Sequence, residues 1–164
     1  MPGRAVASPI AAYVYPWDVA GDPEAGQRLA ELGLSEVTLA AVYHATRAVT
    51  PRHPRHRIVY AERTAAYIPL NASRWRGAPI GLTGADDSVV EAAESLRTNG
   101  LDVHAWVVLN HVDRPGDDHR FCVVNAYGDR YPWALCPAYD EVASYATTII
   151  DEVTELDGDR KSVV

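Results

Sequence analysis

The sequence predicts an α/β fold of about three successive βα units, with a hairpin-like insertion after the second strand. Three observations lead there. Short, nearly continuous apolar runs at 10–15, 36–43 and 103–109 have the character of strands covered on both faces of a parallel sheet. Segments with helix-start and helix-stop residues stand between the first two runs and before the third, as parallel crossovers require. Each run also ends in aromatic, His or Asn side chains: Tyr15-Pro16-Trp17-Asp18, Tyr43-His44, and Trp106 through Asn110-His111. In folds made of βα units, ligands are held where parallel strands end and loops lead to the next helix.

Taken in order, Ile10 to Tyr15 reads as a short buried strand stopped by Pro16. Asp22-Pro23-Glu24 supplies an N-cap, a proline at the first helical position and an acidic first turn, and the helix runs to about Leu32 with Gly33 as its C-cap. Glu36 to Tyr43 is the second strand. The prolines of Thr50-Pro51-Arg52-His53-Pro54-Arg55-His56 forbid a helix there, and Arg57–Glu62 with Ala65–Pro69 read as two extended pieces of an insertion on the loop face. Asp86-Asp87 caps a helix from Ser88 to Thr98 that Asn99-Gly100 ends, and Val103 to Leu109 is the third strand. Asp113 to Asp118 reads as a polar turn, followed by a long loop carrying Asn125-Ala126-Tyr127-Gly128-Asp129-Arg130-Tyr131-Pro132-Trp133. Val142, Tyr145, Ile149, Val153 and Leu156 recur at helical spacing, which predicts a last helix from Tyr139 to about Leu156. Residues 157–164 read as a frayed tail.

Composition narrows the function classes. A chain of 164 residues, 48% hydrophobic and 23% charged, reads as one globular domain, large enough to bury about 70% of its unfolded surface. Net charge of −7 argues against a nucleic-acid partner, since only Arg47, Arg52, Arg55 and Arg57 cluster and no basic stripe extends from them. No apolar run approaches the roughly 18 residues a membrane span needs, and residues 1–7 lack the apolar core of a signal peptide. The expected location is the cytoplasm, without a membrane partner. Cys122 and Cys136 imply no disulfide framework.

Nine Tyr and four Trp against one Phe give most rings a polar handle. Such rings suit sugars, stacking on a pyranose face while OH or N–H groups reach its hydroxyls. Tyr15, Trp17, Tyr43, Trp106 and Trp133 are the rings placed for this, with His44, Asn110, His111, Asn125 and Asp129 as polar partners. A metal would need a third ligand converging on His44 and His111, and neither H-x-H nor H-E-x-x-H is present, so neither a metal nor another cofactor is expected. His53 and His56 read as a solvated loop. Asp18, Asp113, Asp117, Asp118 and Asp129 fall on the same face as the clusters, but none has neighbours that mark it as the acid or nucleophile of glycoside hydrolysis. The catalytic residues stay unassigned. No nucleophile elbow, Walker A loop or dinucleotide fingerprint is present.

Tyr13-Val14-Tyr15-Pro16-Trp17, Val107-Val108-Leu109-Asn110-His111 and Asn125-Ala126-Tyr127-Gly128-Asp129, followed by Ala134-Leu135-Cys136-Pro137-Ala138 and Glu141-Val142-Ala143-Ser144-Tyr145, resemble the first half of (β/α)8 glycoside-hydrolase-like proteins. The resemblance spans about residues 10 to 155. It implies an incomplete TIM-barrel-like domain that grips a sugar or oligosaccharide at the ends of strands one to three. It also implies that the carboxylates of strands four and seven are absent, so that independent hydrolysis is not expected. An open sheet edge follows, with self-association as its expected consequence. A rival reading is a small stand-alone α/β hydrolase using His44, His111 and Asp129; a third is a non-enzymatic interaction module.

Overall fold

The computed structural model describes residues 9–113 and 119–156. The readings of residues 1–7, of Asp117 and Asp118 and of the tail 157–164 lie outside the described residues. The α/β class holds, with open sheets and no closed barrel among them.

Three parallel strands make the centre: β1 (Ala11–Val14), β2 (Glu36–Tyr43) and β6 (Asp102–Val107), with β2 in the middle. Sequence order and spatial order therefore agree for these strands. A two-residue strand, β5 (Ala65–Ala66), pairs antiparallel with Val42 and Tyr43, taking up the edge of β2 beyond the end of β1. Every residue of β2 from Val37 to Tyr43 is buried, which is why its apolar run is unbroken. Residues 103–109 are only half-buried, because no strand pairs with the outer edge of β6 among the described residues.

Helices cover one face. Leu39 of β2 with Val103 and Ala105 of β6 meet Val89 and Ala93 of α2 (Ser88–Thr98) and Val153 of α3 (Asp140–Leu156) around a small cavity of about 170 Å³. The apolar period of both helices points inward as expected. Helix α1 (Ala25–Glu31) lies against α2 at Gly26, where a Cβ would stand 2.9 Å from the Ser95 carbonyl oxygen. Helix α1 starts later than expected, with Glu24 rather than Asp22 as its N-cap; the Asp22 carboxylate accepts from the Glu24 amide at 3.1 Å and pairs with the Arg28 guanidinium. Gly33, at φ +81, ends it.

The insertion after β2 contains a hairpin, and both extended pieces read from the sequence carry strands, but they do not pair with each other: the piece at Arg57–Glu62 pairs with an earlier, unexpected strand, and Ala65–Ala66 joins the central sheet. β3 (Thr46–Val49) pairs antiparallel with β4 (Ile58–Ala61), and the Pro-Arg-His segment is the loop between them. The short run at Thr46–Val49 is broken by Arg47, so its apolar content alone gives no strand signal. Similarly, the long loop expected after residue 118 contains a second hairpin, β7 (Cys122–Val124) with β8 (Arg130–Leu135). Pro132 obscures β8 in the sequence; proline is tolerated in a strand that has an unpaired edge.

Candidate functional site

The face of the sheet away from the helices is aromatic. Tyr13 packs edge-on against Trp106 at 5.2 Å between ring centroids, and Trp106 against Tyr43 at 4.5 Å. A register irregularity between Ala40 and Val42 puts Tyr43 there. With the same residues in regular alternation, positions 39, 41 and 43 would share a side and Tyr43 would turn under the helices with Leu39.

From this patch a continuous series of rings runs in two directions. Towards β1 it passes from Tyr43 to Tyr15 at 5.1 Å, then to Trp17 stacked at 4.7 Å, then to Tyr67 at 5.0 Å. Towards β6 it passes from Tyr43 to His44 and then His111, each step a stack at 4.2 Å. Six of the residues expected at the site, Tyr15, Trp17, Tyr43, His44, Trp106 and His111, thus form one assembly. Burial, then a hydrogen bond with Tyr15, pushes the Tyr43 hydroxyl up to about 12, so it stays protonated with its hydroxyl engaged by Tyr15.

Trp17 sits in the 3-10 turn Pro16–Asp18, which Asp18 closes by accepting the Tyr15 amide at 2.9 Å. Asp18 is therefore fixed by the turn, its side chain bonded to the backbone. Burial raises its carboxyl above the ordinary range against the opposing pull of the Tyr15 amide and of His53 and His56. His53 is likewise buried, with Nε2 3.0 Å from the Ala20 carbonyl oxygen and its ring stacked on His56 at 3.7 Å. The reading of that loop as solvated fails for His53, which this bond ties to the segment following Trp17, while Pro51, Arg52, Pro54 and Arg55 around it are exposed.

Beside Trp17 opens a cavity of about 510 Å³, walled by Trp17 and Tyr67 on one side and by Val59, Tyr60 and Glu62 of the β3–β4 hairpin and its exit on the other. Thr83 and Asp86 add polar groups, and Tyr60 stands exposed at the rim. Tyr67 is pushed up to about 12 by burial and then by the Asp86 charge, so it remains a donor. Neither Tyr60 nor Tyr67 carries a sequence signal, because both reach the cavity through the hairpin and the chain leaving it.

Across the chain that leaves the hairpin lies the histidine pair. His44 and His111 follow β2 and β6, and the Asp113 carboxylate joins them, one donor atom of each falling within 4.8 Å of the others. Asp113 was expected in a solvated turn. Instead its Oδ2 accepts from the Ala45 amide and from the Thr64 hydroxyl, while its own amide donates back to Thr64 Oγ1 at 2.7 Å.

The remaining expected residues lie apart. Asn110 is exposed, its carbonyl accepting from Leu135 at 2.8 Å. Trp133 on β8 is half-exposed and its carbonyl accepts from Val112, so it neighbours His111 through the backbone. Asn125 and Asp129 are turn formers: the Asn125 amide oxygen accepts from the Tyr127 and Asp129 amides, and its Nδ2 donates to the Asp129 carboxylate. They occupy the tip of the β7–β8 hairpin, the opposite end of β8 from the bridge between Ala134 and His111. His44, His111 and Asp129 therefore do not form one catalytic group. No family model, curated protein or solved structure matches the chain.

Proposed function

We propose that the chain binds a carbohydrate-type ligand, a small ring bearing several hydroxyls, in the cavity beside Trp17, and binds it without hydrolysing it. One observation carries this reading: Trp17, Tyr60 and Tyr67 wall a single cavity of about 510 Å³, within the roughly 300–1,000 Å³ of small-molecule sites, with carboxylate and hydroxyl groups between the rings. Flat rings take the C–H face of a sugar, and Glu62, Thr83 and Asp86 offer partners for its hydroxyls. Asp86 already accepts from the Ser88 amide at 2.9 Å and from its hydroxyl, which suits a fixed acceptor better than a proton-transferring acid. The sequential parallel order of β1, β2 and β6, with helices on one face, supports reading the sheet as the opening units of a barrel-like domain.

Titrating a panel of mono- and disaccharides into isotopically labelled protein is expected to shift amide signals around Trp17, Tyr60 and Tyr67. Tyr60→Ala, at an exposed position, is expected to weaken binding by about 2- to 10-fold. Shifts that gather instead at the tip of the β7–β8 hairpin, or no shift with any sugar, would remove the proposal. Turnover of aryl glycosides would overturn its non-hydrolytic half.

The outer edge of β6 belongs to the same reading. Its half-buried apolar residues at 103–109, beside which no strand lies on that edge among the described residues, offer a surface for a second copy of the chain. Size exclusion with light scattering is expected to show dimers or larger species whose fraction rises with concentration. A concentration-independent monomer would reject this pairing.

A further inference from the structure

We propose that His44, His111 and Asp113 bind a divalent transition-metal ion at the C-terminal ends of the two adjacent parallel strands β2 and β6. The third ligand, which no local sequence motif announces, is supplied by the fold: Asp113 lies 69 residues after His44 in the chain and is brought to it by strand pairing.

Three features make this a built site rather than a chance cluster. First, the His44 Nδ1 lies 2.8 Å from the Ala45 carbonyl oxygen. A carbonyl only accepts, so Nδ1 carries the proton and Nε2 is left with a free lone pair, the tautomer of a metal-ligating histidine held by a backbone carbonyl. Second, Asp113 is oriented by the Ala45 amide and the Thr64 hydroxyl, both on Oδ2, which leaves Oδ1 to face the histidines. Ala45 thus fixes both His44, through its carbonyl, and Asp113, through its amide. Third, His111 Nε2 stands 3.5 Å from Asp113 Oδ1. Two donors about 2.1 Å from a tetrahedral ion stand roughly 3.4 Å apart, so this pair already has ligand spacing. The His44 ring, stacked on His111 with 19° between planes, must tilt for its Nε2 to converge on the same point.

Two imidazoles and one carboxylate, with no thiolate, select Zn²⁺ or Fe²⁺ over the all-oxygen preference of Mg²⁺ and Ca²⁺. With three protein ligands an ion keeps at least one position for water or a ligand atom. The His111 side chain is 39% exposed and that of Asp113 30%, so the position faces solvent. This proposal does not depend on carbohydrate binding, since the cluster shares no residue with the walls of the Trp17 cavity.

The test is calorimetric titration of the full chain with Zn²⁺, paired with the visible spectrum of the Co²⁺-loaded protein. One ion per chain is expected, with no uptake of Mg²⁺, and the ring signals of both His44 and His111 are expected to move in NMR spectra of the unaltered protein. His44→Gln and His111→Gln should each weaken Zn²⁺ binding at least about tenfold. His56→Gln, which alters the other stacked histidine pair, should leave it unchanged. No Zn²⁺ uptake by the folded wild-type chain would overturn the proposal. So would uptake that survives His111→Gln, uptake lost on His56→Gln, or wild-type ring signals that stay in place while Zn²⁺ binds elsewhere.

Discussion

Replacing Glu152 with alanine is expected to destabilise the protein by about 3 kcal/mol, one of the two largest single-residue effects that the structure implies. Glu152 lies on α3, and only 4% of it is exposed. Its carboxylate accepts from the Asn71 amide at 3.1 Å and from the Trp75 indole N–H at 3.0 Å, and the Arg74 guanidinium approaches to 3.5 Å. One side chain thus ties the segment 71–75 to the last helix. Alanine would strand two donors and remove the charge that faces Arg74, although Arg74 keeps its pair with Glu155 and is partly solvated, which limits the loss. Glu152→Gln keeps an amide oxygen to accept from Trp75 and should cost roughly half as much. Urea denaturation measures both; a loss below about 1 kcal/mol for alanine would show that the segment is held by its apolar contacts alone.

Glu152 also illustrates what a sequence conceals. On the helical repeat of α3 it adjoins Val153 and lies one turn from Ile149 and two from Tyr145, so it sits at the margin of the buried stripe. Nothing local distinguishes it from an exposed glutamate, because its partners come from a segment about 80 residues earlier. The same physics separates the legible parts of the fold from the rest. The strands β1, β2 and β6 and the helices α2 and α3 are written as local apolar periods, and the structure places them within a few residues of expectation. Hairpin β3–β4 is not, since Thr46–Val49 alternates over only four residues and has a charge in its middle.

The site shows the same division. That Tyr15, Trp17, Tyr43, His44, Trp106 and His111 share a region follows from one rule, that parallel strands deliver their C-terminal ends to one edge of the sheet. Which of these residues face a cavity follows from longer-range geometry. Trp17 and Tyr43 are each only 8% exposed, so most of the expected rings spend their area on one another and Trp17 alone reaches the proposed ligand cavity. The cavity's other two rings, Tyr60 and Tyr67, and the third member of the histidine cluster, Asp113, depend on how the insertion folds back. A turn-like composition made Asp113, Asn125 and Asp129 look alike. The structure sorts them by partner: Asn125 and Asp129 bond each other within one tip, whereas Asp113 bonds Ala45 and Thr64 on separate segments.

Leu39→Ala is expected to cost about 4 kcal/mol, towards the upper part of the range for leucine truncations in cores. Leu39 is fully buried in the central strand, opposite Val14 of β1 and Ala105 of β6. The cost of such a truncation depends on how far the surroundings can close on the space. Here β2 is held in register by parallel strands on both edges, so its backbone cannot sink toward the helices. The cavity of about 170 Å³ that Leu39 already lines would instead grow, and the penalty rises by about 24 cal/mol for each Å³ left unfilled. Leu32→Ala supplies the contrast: at 72% exposure it removes little buried area and should change stability by less than about 0.5 kcal/mol. In thermal unfolding the first variant should melt roughly 8–16 °C below the wild type and the second within about 2 °C of it. A Leu39→Ala loss under about 1.5 kcal/mol would mean that α2 and α3 move inward to fill the gap. The helix-covered face would then be a loosely seated layer rather than the rigid backing on which the strand-end residues depend for their positions.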